Sequence, residues 1–300
     1  MNNTKSAVKF SKYRKNVKIY KTMTYKTLVL PGNGIKGVYT LGALESLGDR
    51  GKLNEIENFI SVSSGAIISA LLLMGMRPID ILARVLSKNL FQKVGRISMT
   101  GIINGASIFN FDPIQHEIES IFVDCIGKIP TFMEFYRQTD KVFVCLGYDA
   151  TNHKIIYFSK DTYPDISVVK AIRASCAFPL LFDPVLIDDA VIVDGGVGDN
   201  YPLSWTVNNF PSPILSIHVK TTLKPITKET SRLTSLKELF SFVVRRPDLL
   251  ELERNKNSVT VVKLQIGNAS FFDFSNADRV YLDQFDTGYN SCKNKLIYSC

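Results

Sequence analysis

Three short stretches hold the residues whose types and spacing could do chemistry. The first is Gly32-Asn33-Gly34-Ile35-Lys36-Gly37, a G-x-G-x-x-G spelling directly after the apolar run "KTLVLP". Its backbone amides could cradle an anion, either a cofactor's pyrophosphate or the oxyanion of a reaction in progress. The second is Ser61-Val62-Ser63-Ser64-Gly65, close to the nucleophile elbow G-x-S-x-G, with Ser61 in place of the first glycine. Such a sharp strand-to-helix turn projects one hydroxyl, here that of Ser63, above a sheet and at the amino end of the next helix. The helix macrodipole favours negative charge at that place. The plain alternative is that Ser63 or Ser64 is an ordinary helix N-cap. The third stretch is Asp194-Gly195-Gly196, where a strand ends on a glycine turn. A lone D-G-G is commonly only a turn.

The surrounding elements discriminate between the two anions. A dinucleotide fold needs an Asp or Glu at the carboxyl end of the next strand, about 20 residues on, to hold a ribose. That strand is "ENFISV", and its acids, Glu55 and Glu57, stand before it. A hydroxyl cluster, Ser61-Val-Ser-Ser64, stands at its carboxyl end instead. The oxyanion is therefore the better-supported ligand of the glycine loop.

The chain alternates β and α patterns throughout. Strands are expected at "KTLVLP", 59–63, 141–150, 154–160, 184–187, 190–193, 213–220 and 258–266, with a hairpin at Thr151-Asn152-His153. Helices are expected at 38–48, 79–91, 113–122, 131–138, 166–175, 233–244 and 276–298. "SGAIISALLLMGM" reads as a helix apolar almost all round, hence buried, and stopped by Met76-Arg-Pro78. Residues 95–111, rich in Gly, Ser and Asn, read as a loop or lid. No repeat and no Pro/Gly/Ser-rich linker divides the chain. The expected fold is one three-layer α/β/α domain with a largely parallel central sheet covered on both faces.

Composition narrows the setting. Eight of the 36 basic residues lie in 1–26, with no acid among them; the rest of the chain holds 28 of each sign. The body is neutral and carries a basic arm at 1–25, joined to a domain at 26–300. The arm reads as a solvated terminus or as a contact to anionic lipid at a membrane surface; nucleic acid is not an expected partner. The apolar run at 66–76 is shorter than the roughly 20 residues that span a bilayer. No secretory signal pattern is seen, so an intracellular, cytoplasmic or peripheral-membrane protein is expected. Five cysteines, Cys125, Cys145, Cys176, Cys292 and Cys300, show no C-x-x-C spacing and read as reduced thiols, four of them in the core. With three scattered histidines and no D-x-D-x-D-G loop, neither a metal nor any other cofactor is expected.

Taken together, the three stretches and the block "AIRASCAFPLLFDPV" resemble the patatin-like phospholipase family, serine-aspartate acyl hydrolases of lipids. The resemblance covers the chain from about Lys26 to the closing helix. The family's G-G-G-x-[RK]-G is here Gly32-Asn33-Gly34-Ile35-Lys36-Gly37, with one glycine changed to Asn. Its G-x-S-x-G is Ser61 to Gly65, and its D-G-[GA] is Asp194-Gly195-Gly196. Its A-S-x-A-x-P-x-x-F is intact at Ala174 to Phe182. The resemblance implies Ser63 as nucleophile and Asp194 as its general base. It implies the amides of Gly32, Asn33 and Gly34 as the oxyanion hole, and a phospholipid or other acyl lipid as substrate. Lys36, Gly37, Ser61, Gly65, Gly195 and Gly196 would support these motifs. Lys36 could orient the oxyanion or attract an anionic head group, or be a solvated lysine at a helix start.

Other readings stay open at this level. Ser63, Asp194 and His218 follow the chain order of an α/β-hydrolase triad, though His218 lies inside the strand "ILSIHV". The Phe and Leu residues around 96–111 and 178–182 could line an acyl groove or simply be core. Asp199 and Asn200 read as turn formers. A weakly active or inactive lipid- or protein-binding module on the same fold is the alternative to an enzyme.

Overall fold

The computed structural model describes residues 24–96, 107–221, 250–267, 274 and 276–293. Most of the basic arm, the central part of the expected lid, the expected helix at 233–244 and Cys300 lie outside the described residues.

Eight strands form one sheet. They are β1 (Thr27–Leu30), β2 (Asn58–Val62), β3 (Val142–Asp149), β4 (Lys154–Phe158), β5 (Val185–Ile187), β6 (Ala190–Asp194), β7 (Ile214–Thr221) and β8 (Val259–Ile266). The path runs β5-β6-β3-β2-β1-β7-β8, with β4 also on β3. The strands from β3 through β2, β1 and β7 to β8 are parallel, whereas β4, β5 and β6 run antiparallel to their neighbours. Every residue of β1 and β2 is buried, as apolar parallel strands covered on both faces must be.

Helices cover both faces. On one side lie α1 (Gly37–Gly48), α2 (Ser64–Leu73), α3 (Pro78–Ser87), α4 (Leu90–Val94), α5 (Asp112–Ile126), α6 (Phe132–Thr139) and α7 (Val168–Ser175), with the closing α10 (Asp278–Lys293). The other face is covered by α9 (Leu203–Asn209) and by Leu252 of a short helical stretch at 250–254, packed with Tyr201 on Val29, Ile60 and Val144. A single-turn α8 (Gly196–Asp199) follows β6.

Most elements follow the sequence pattern. A capping box between Thr131 and Glu134 starts α6, and the Ser167 hydroxyl caps α7. The expected helix at 79–91 is instead two helices, because Asn89 takes a left-handed conformation and ends α3. The seven-residue α9 is an element that the sequence pattern did not reveal. Of the four described cysteines, Cys125 is exposed and Cys145, Cys176 and Cys292 are buried; all four are free. The expectation of a fourth core thiol therefore fails at Cys125, which sits on the outer face of α5.

Two glycines let α1 and α10 touch backbone to backbone. A Cβ on Gly42 would stand 2.0 Å from the Phe285 carbonyl oxygen, and one on Gly288 would stand 2.1 Å from that of Tyr39. Neither neighbour is a side chain that can swing away. Gly42→Ala should therefore lower unfolding stability by about 1–3 kcal/mol in urea titration. Gly48→Ala, whose Cβ would meet only the Leu53 side chain at an ordinary 3.9 Å, should leave stability unchanged or slightly raised.

Candidate active site

The pairing of β3 brings Ser63 and Asp194 together. Cys145 and Leu146 of β3 pair with β2 and with β4, so β2 and β4 lie on opposite flanks. Gly147 to Asp149 pair with β4 and with β6, so β6 lies on the flank of β2. The two strands meet end to end there. Val62 is level with Leu146 and Asp194 with Gly147, one rung on. A rung is about 3.3 Å. Ser63 is the residue at which β2 leaves that flank, and Asp194 is the residue at which β6 arrives.

The local chain is tight on both sides of this meeting point. Ser63 has φ +54 and ψ −126, outside the usual regions for a residue with a side chain. Holding it there costs on the order of 1–3 kcal/mol. A Cβ on Gly65 would lie 2.3 Å from the Leu30 carbonyl oxygen, and one on Gly195 would lie 2.4 Å from that of Leu146. Glycine is required at both turns because each packs backbone against a strand end. Ser61, where the family has glycine, is fully buried, and its hydroxyl is satisfied by Ser69 on α2 at 2.6 Å.

A single segment holds both residues in place. The Ser63 N–H donates to the Ser175 hydroxyl at 2.9 Å, and the Asp194 N–H donates to the Ala177 carbonyl at 3.0 Å. Cys176 lies between these anchors and touches the Ser63 hydroxyl, with the Asp194 charge nearby. Burial and the Asp194 carboxylate push the Cys176 thiol well above its ordinary range.

Asp194 is 2% exposed. Burial raises its carboxyl from 3.8 to about 7, against the opposing influence of the Ser63 hydroxyl and the Gly196 N–H. Oδ1 accepts the Gly196 N–H at 2.7 Å. Oδ2 is buried with no formed hydrogen bond, so the Ser63 hydroxyl is a neighbour of the carboxylate rather than its fixed donor. The nearby Asp199 is raised to about 6, again by burial.

The glycine loop lies against the elbow. A Cβ on Gly32 would stand 3.0 Å from Ser63 Cβ. Gly34 has φ +52 and opens a 3-10 turn, Gly34–Lys36. A residue in that position has an N–H without an intrahelical partner. The Asn33 N–H donates to the Ser64 hydroxyl at 3.0 Å, and its side-chain amide reaches back to the Pro31 carbonyl at 3.4 Å. Lys36 is 1% exposed, which overturns its reading as a solvated lysine. Gly37 starts α1, and a Cβ there would touch Ile68 and Ser64 at ordinary distances.

A model of the patatin-like phospholipase family matches residues 28–205. The chain belongs to that family. Its relatives include a "probable lipid hydrolase" of Invertebrate iridescent virus 6, 32% identical over 186 residues, which is 61% of this chain and 63% of that protein. An uncharacterized protein of Acanthamoeba polyphaga mimivirus is 30% identical over 184 residues, 60% of each chain. The match thus spans about three fifths of these curated relatives. The crystal structure of VipD from Legionella pneumophila shares the fold with a TM-score of 0.53 at 19% identity, over 89% of this chain and 66% of that one.

Family membership settles the opening ambiguity of the glycine loop against a dinucleotide fold. Of the motif residues, Gly32, Ser63, Gly65, Asp194, Gly195 and Gly196 converge on one point. His218 does not join them: the groups acting on Asp194 are burial, Ser63 and Gly196, while His218 is buried on β7 and stacks on Tyr201 at 5.6 Å. Phe182 packs on Phe109 and Phe111 in the core, so these side chains are core rather than groove. Asn200 does more than form a turn. It donates to the Gly32 carbonyl at 3.3 Å, and its Oδ1 fills the space that a Cβ on Gly32 or Gly196 would need. Ser175, Ala177 and Asn200 were missed as positioning groups. The intact A-S-x-A block was the signal for the first two. Among the described residues no single helix is long and apolar enough to cross a membrane.

The raised Asp194 carboxyl carries a stability signature. Between about pH 4 and 7 the native state holds a proton that the unfolded chain has released, so stability falls as pH rises across that window. Asp194→Asn removes this contribution and keeps an acceptor for the Gly196 N–H. Urea unfolding should find the variant close to wild type near pH 4 and more stable by roughly 4 kcal/mol at pH 8. Equal stability at both pH values would contradict the buried carboxylate.

Proposed function

We propose that this protein hydrolyses the carboxylic ester bond of an acyl lipid, with Ser63 as nucleophile and Asp194 as general base and acid. The observation that carries the reading is a strained elbow serine that directly follows Val62, whose rung adjoins that of a buried aspartate with no hydrogen bond on Oδ2. Family membership and the viral lipid hydrolase relative support the same chemistry.

The steps follow from the geometry. Asp194 takes the Ser63 proton as Oγ bonds to the ester carbonyl carbon. A base with pKa near 7 is matched to this task at neutral pH, whereas an ordinary carboxylate is too weak. The carbonyl oxygen becomes an oxyanion beside the amides of Gly32, Asn33 and Gly34. One such donor stabilises the transition state by roughly 3 kcal/mol. Asn33 can serve only when its N–H leaves the Ser64 hydroxyl. The tetrahedral carbon then expels the alcohol, which receives the proton from Asp194. Water attacks the acyl-serine, giving its proton to Asp194; the fatty acid leaves and the proton returns to Ser63. The buried Lys36 helps to fix the loop that presents these amides. Contact of the basic arm with anionic lipid would bring the site to its substrate.

Ser63→Ala should abolish turnover of a p-nitrophenyl ester and labelling by a fluorophosphonate probe. Wild-type kcat/KM should rise with pH and level off above about 7 as Asp194 ionises. Labelling at another residue, or undiminished turnover by Ser63→Ala, would refute the assignment.

A further inference from the structure

An apolar cavity opens beside the elbow. The space among its lining side chains is about 710 Å³, open solvent at its mouth included. Gly34, Gly37 and Ser64 line the end next to Ser63. From there Ser64, Ile67, Ile68 and Leu71 form one continuous stripe down α2. Seven residues of helix make this trough about 10 Å long.

The far end is walled by α3. It meets α2 at 114° and so crosses the trough rather than continuing it. Ile81, Arg84 and Val85 of α3 line the cavity. The Arg84 side chain, 34% exposed, forms an ion pair with Glu117 of α5, 13% exposed, and lies 3.5 Å from the exposed Asp124. Among the described residues, Arg84 and Glu117 are the only charged ones in the lining.

An ion pair in an apolar wall needs a reason. Parting the two would leave the mostly buried Glu117 carboxylate without its partner, whereas Arg84 still reaches solvent. Near the elbow and along α2 the lining is almost wholly apolar, and the pair joins α3 to α5 in the α3 wall.

We propose that the trough binds a single unbranched acyl chain and that the Arg84–Glu117 pair is its stop, selecting chains by length. This deepens the ester-hydrolase reading and rests on it for the direction from Ser63. Each methylene accommodated in the trough should raise binding about fourfold, until the chain meets the pair.

The test separates the two readings by using binding as well as turnover. In Ser63→Ala, displacement of cis-parinaric acid by straight-chain fatty acids of six to eighteen carbons should strengthen with length and then plateau or weaken. In Ser63→Ala/Arg84→Met/Glu117→Met the turning point should move to longer chains by two carbons or more. Val85→Phe, which fills the α3 wall without touching the ion pair, should move it to shorter chains. Thermal melts check that each variant is folded. The kcat/KM profiles of p-nitrophenyl esters, measured with Ser63 intact, should shift the same way. Affinity that is independent of length, or turning points that coincide in all folded variants, would overturn the stop. Shifted binding profiles without any ester turnover would keep the stop and sink the hydrolase reading. Turnover abolished by Ser63→Ala, with unshifted profiles, would do the reverse.

Discussion

The site depends on how one flank of β3 is shared. A strand has room for one neighbour per rung on each side, and β3 gives its β2-side flank to two strands in succession. β2 occupies it as far as Leu146, and β6 takes over at Gly147. The chain can achieve this only if β2 turns away sharply and β6 stops sharply. Those two demands produce the elbow at Ser63 and the glycine turn after Asp194. Val62 and Asp194 are thereby placed on adjacent rungs by backbone hydrogen bonds, and Ser63 is the next residue after Val62.

The arrangement is locally unfavourable, and the surroundings hold it. Ser63 sits in a backbone region that a side chain resists, and Asp194 is buried without a cation to pair with it among the groups that shift it. Both act against stability at neutral pH. They are opposed by Ser175 and Ala177, which fix the two backbones from one loop, and by Asn200, which ties the Gly32 loop to the turn after Asp194. The same burial that destabilises the carboxylate would make it a competent base in the proposed reaction, giving strain and reactivity a common origin.

Much of this was legible in the sequence, for identifiable reasons. Glycines forced by close backbone approach leave fixed spellings, so Gly32, Gly65 and Gly195 marked their turns correctly. The apolar runs of β1, β2 and α2 followed from burial on all sides. What was hidden depends on partners distant in sequence. The Asn89 break of α3 is a left-handed residue with no glycine to announce it. The Phe and Leu residues around 96–111 and 178–182 could be groove or core from sequence alone, and Phe182 is core, packed on Phe109 and Phe111. The trough is instead built from stripes on α1, α2, α3 and α5 that look like ordinary core, because a helix face turned to a cavity has the same composition as one turned to a neighbour. For Lys36 the sequence left a role in the loop and a solvated position both open, because lysine is rarely buried and only distant packing decides it.

The two departures from the family pattern are absorbed where they occur. Ser61 adds a hydroxymethyl group behind the elbow, and α2 supplies Ser69 to satisfy it. The buried hydroxyl therefore costs no unpaired polar group. Asn33 adds a side chain in the oxyanion loop, but its amide is turned back to the Pro31 carbonyl rather than reaching into the space in front of Ser63. Its backbone N–H is held by Ser64, the residue that also lines the start of the trough. Both changes thus leave the backbone path of the elbow and of the glycine loop intact. Neither removes a hydroxyl, a carboxylate or an amide that the proposed ester chemistry would use.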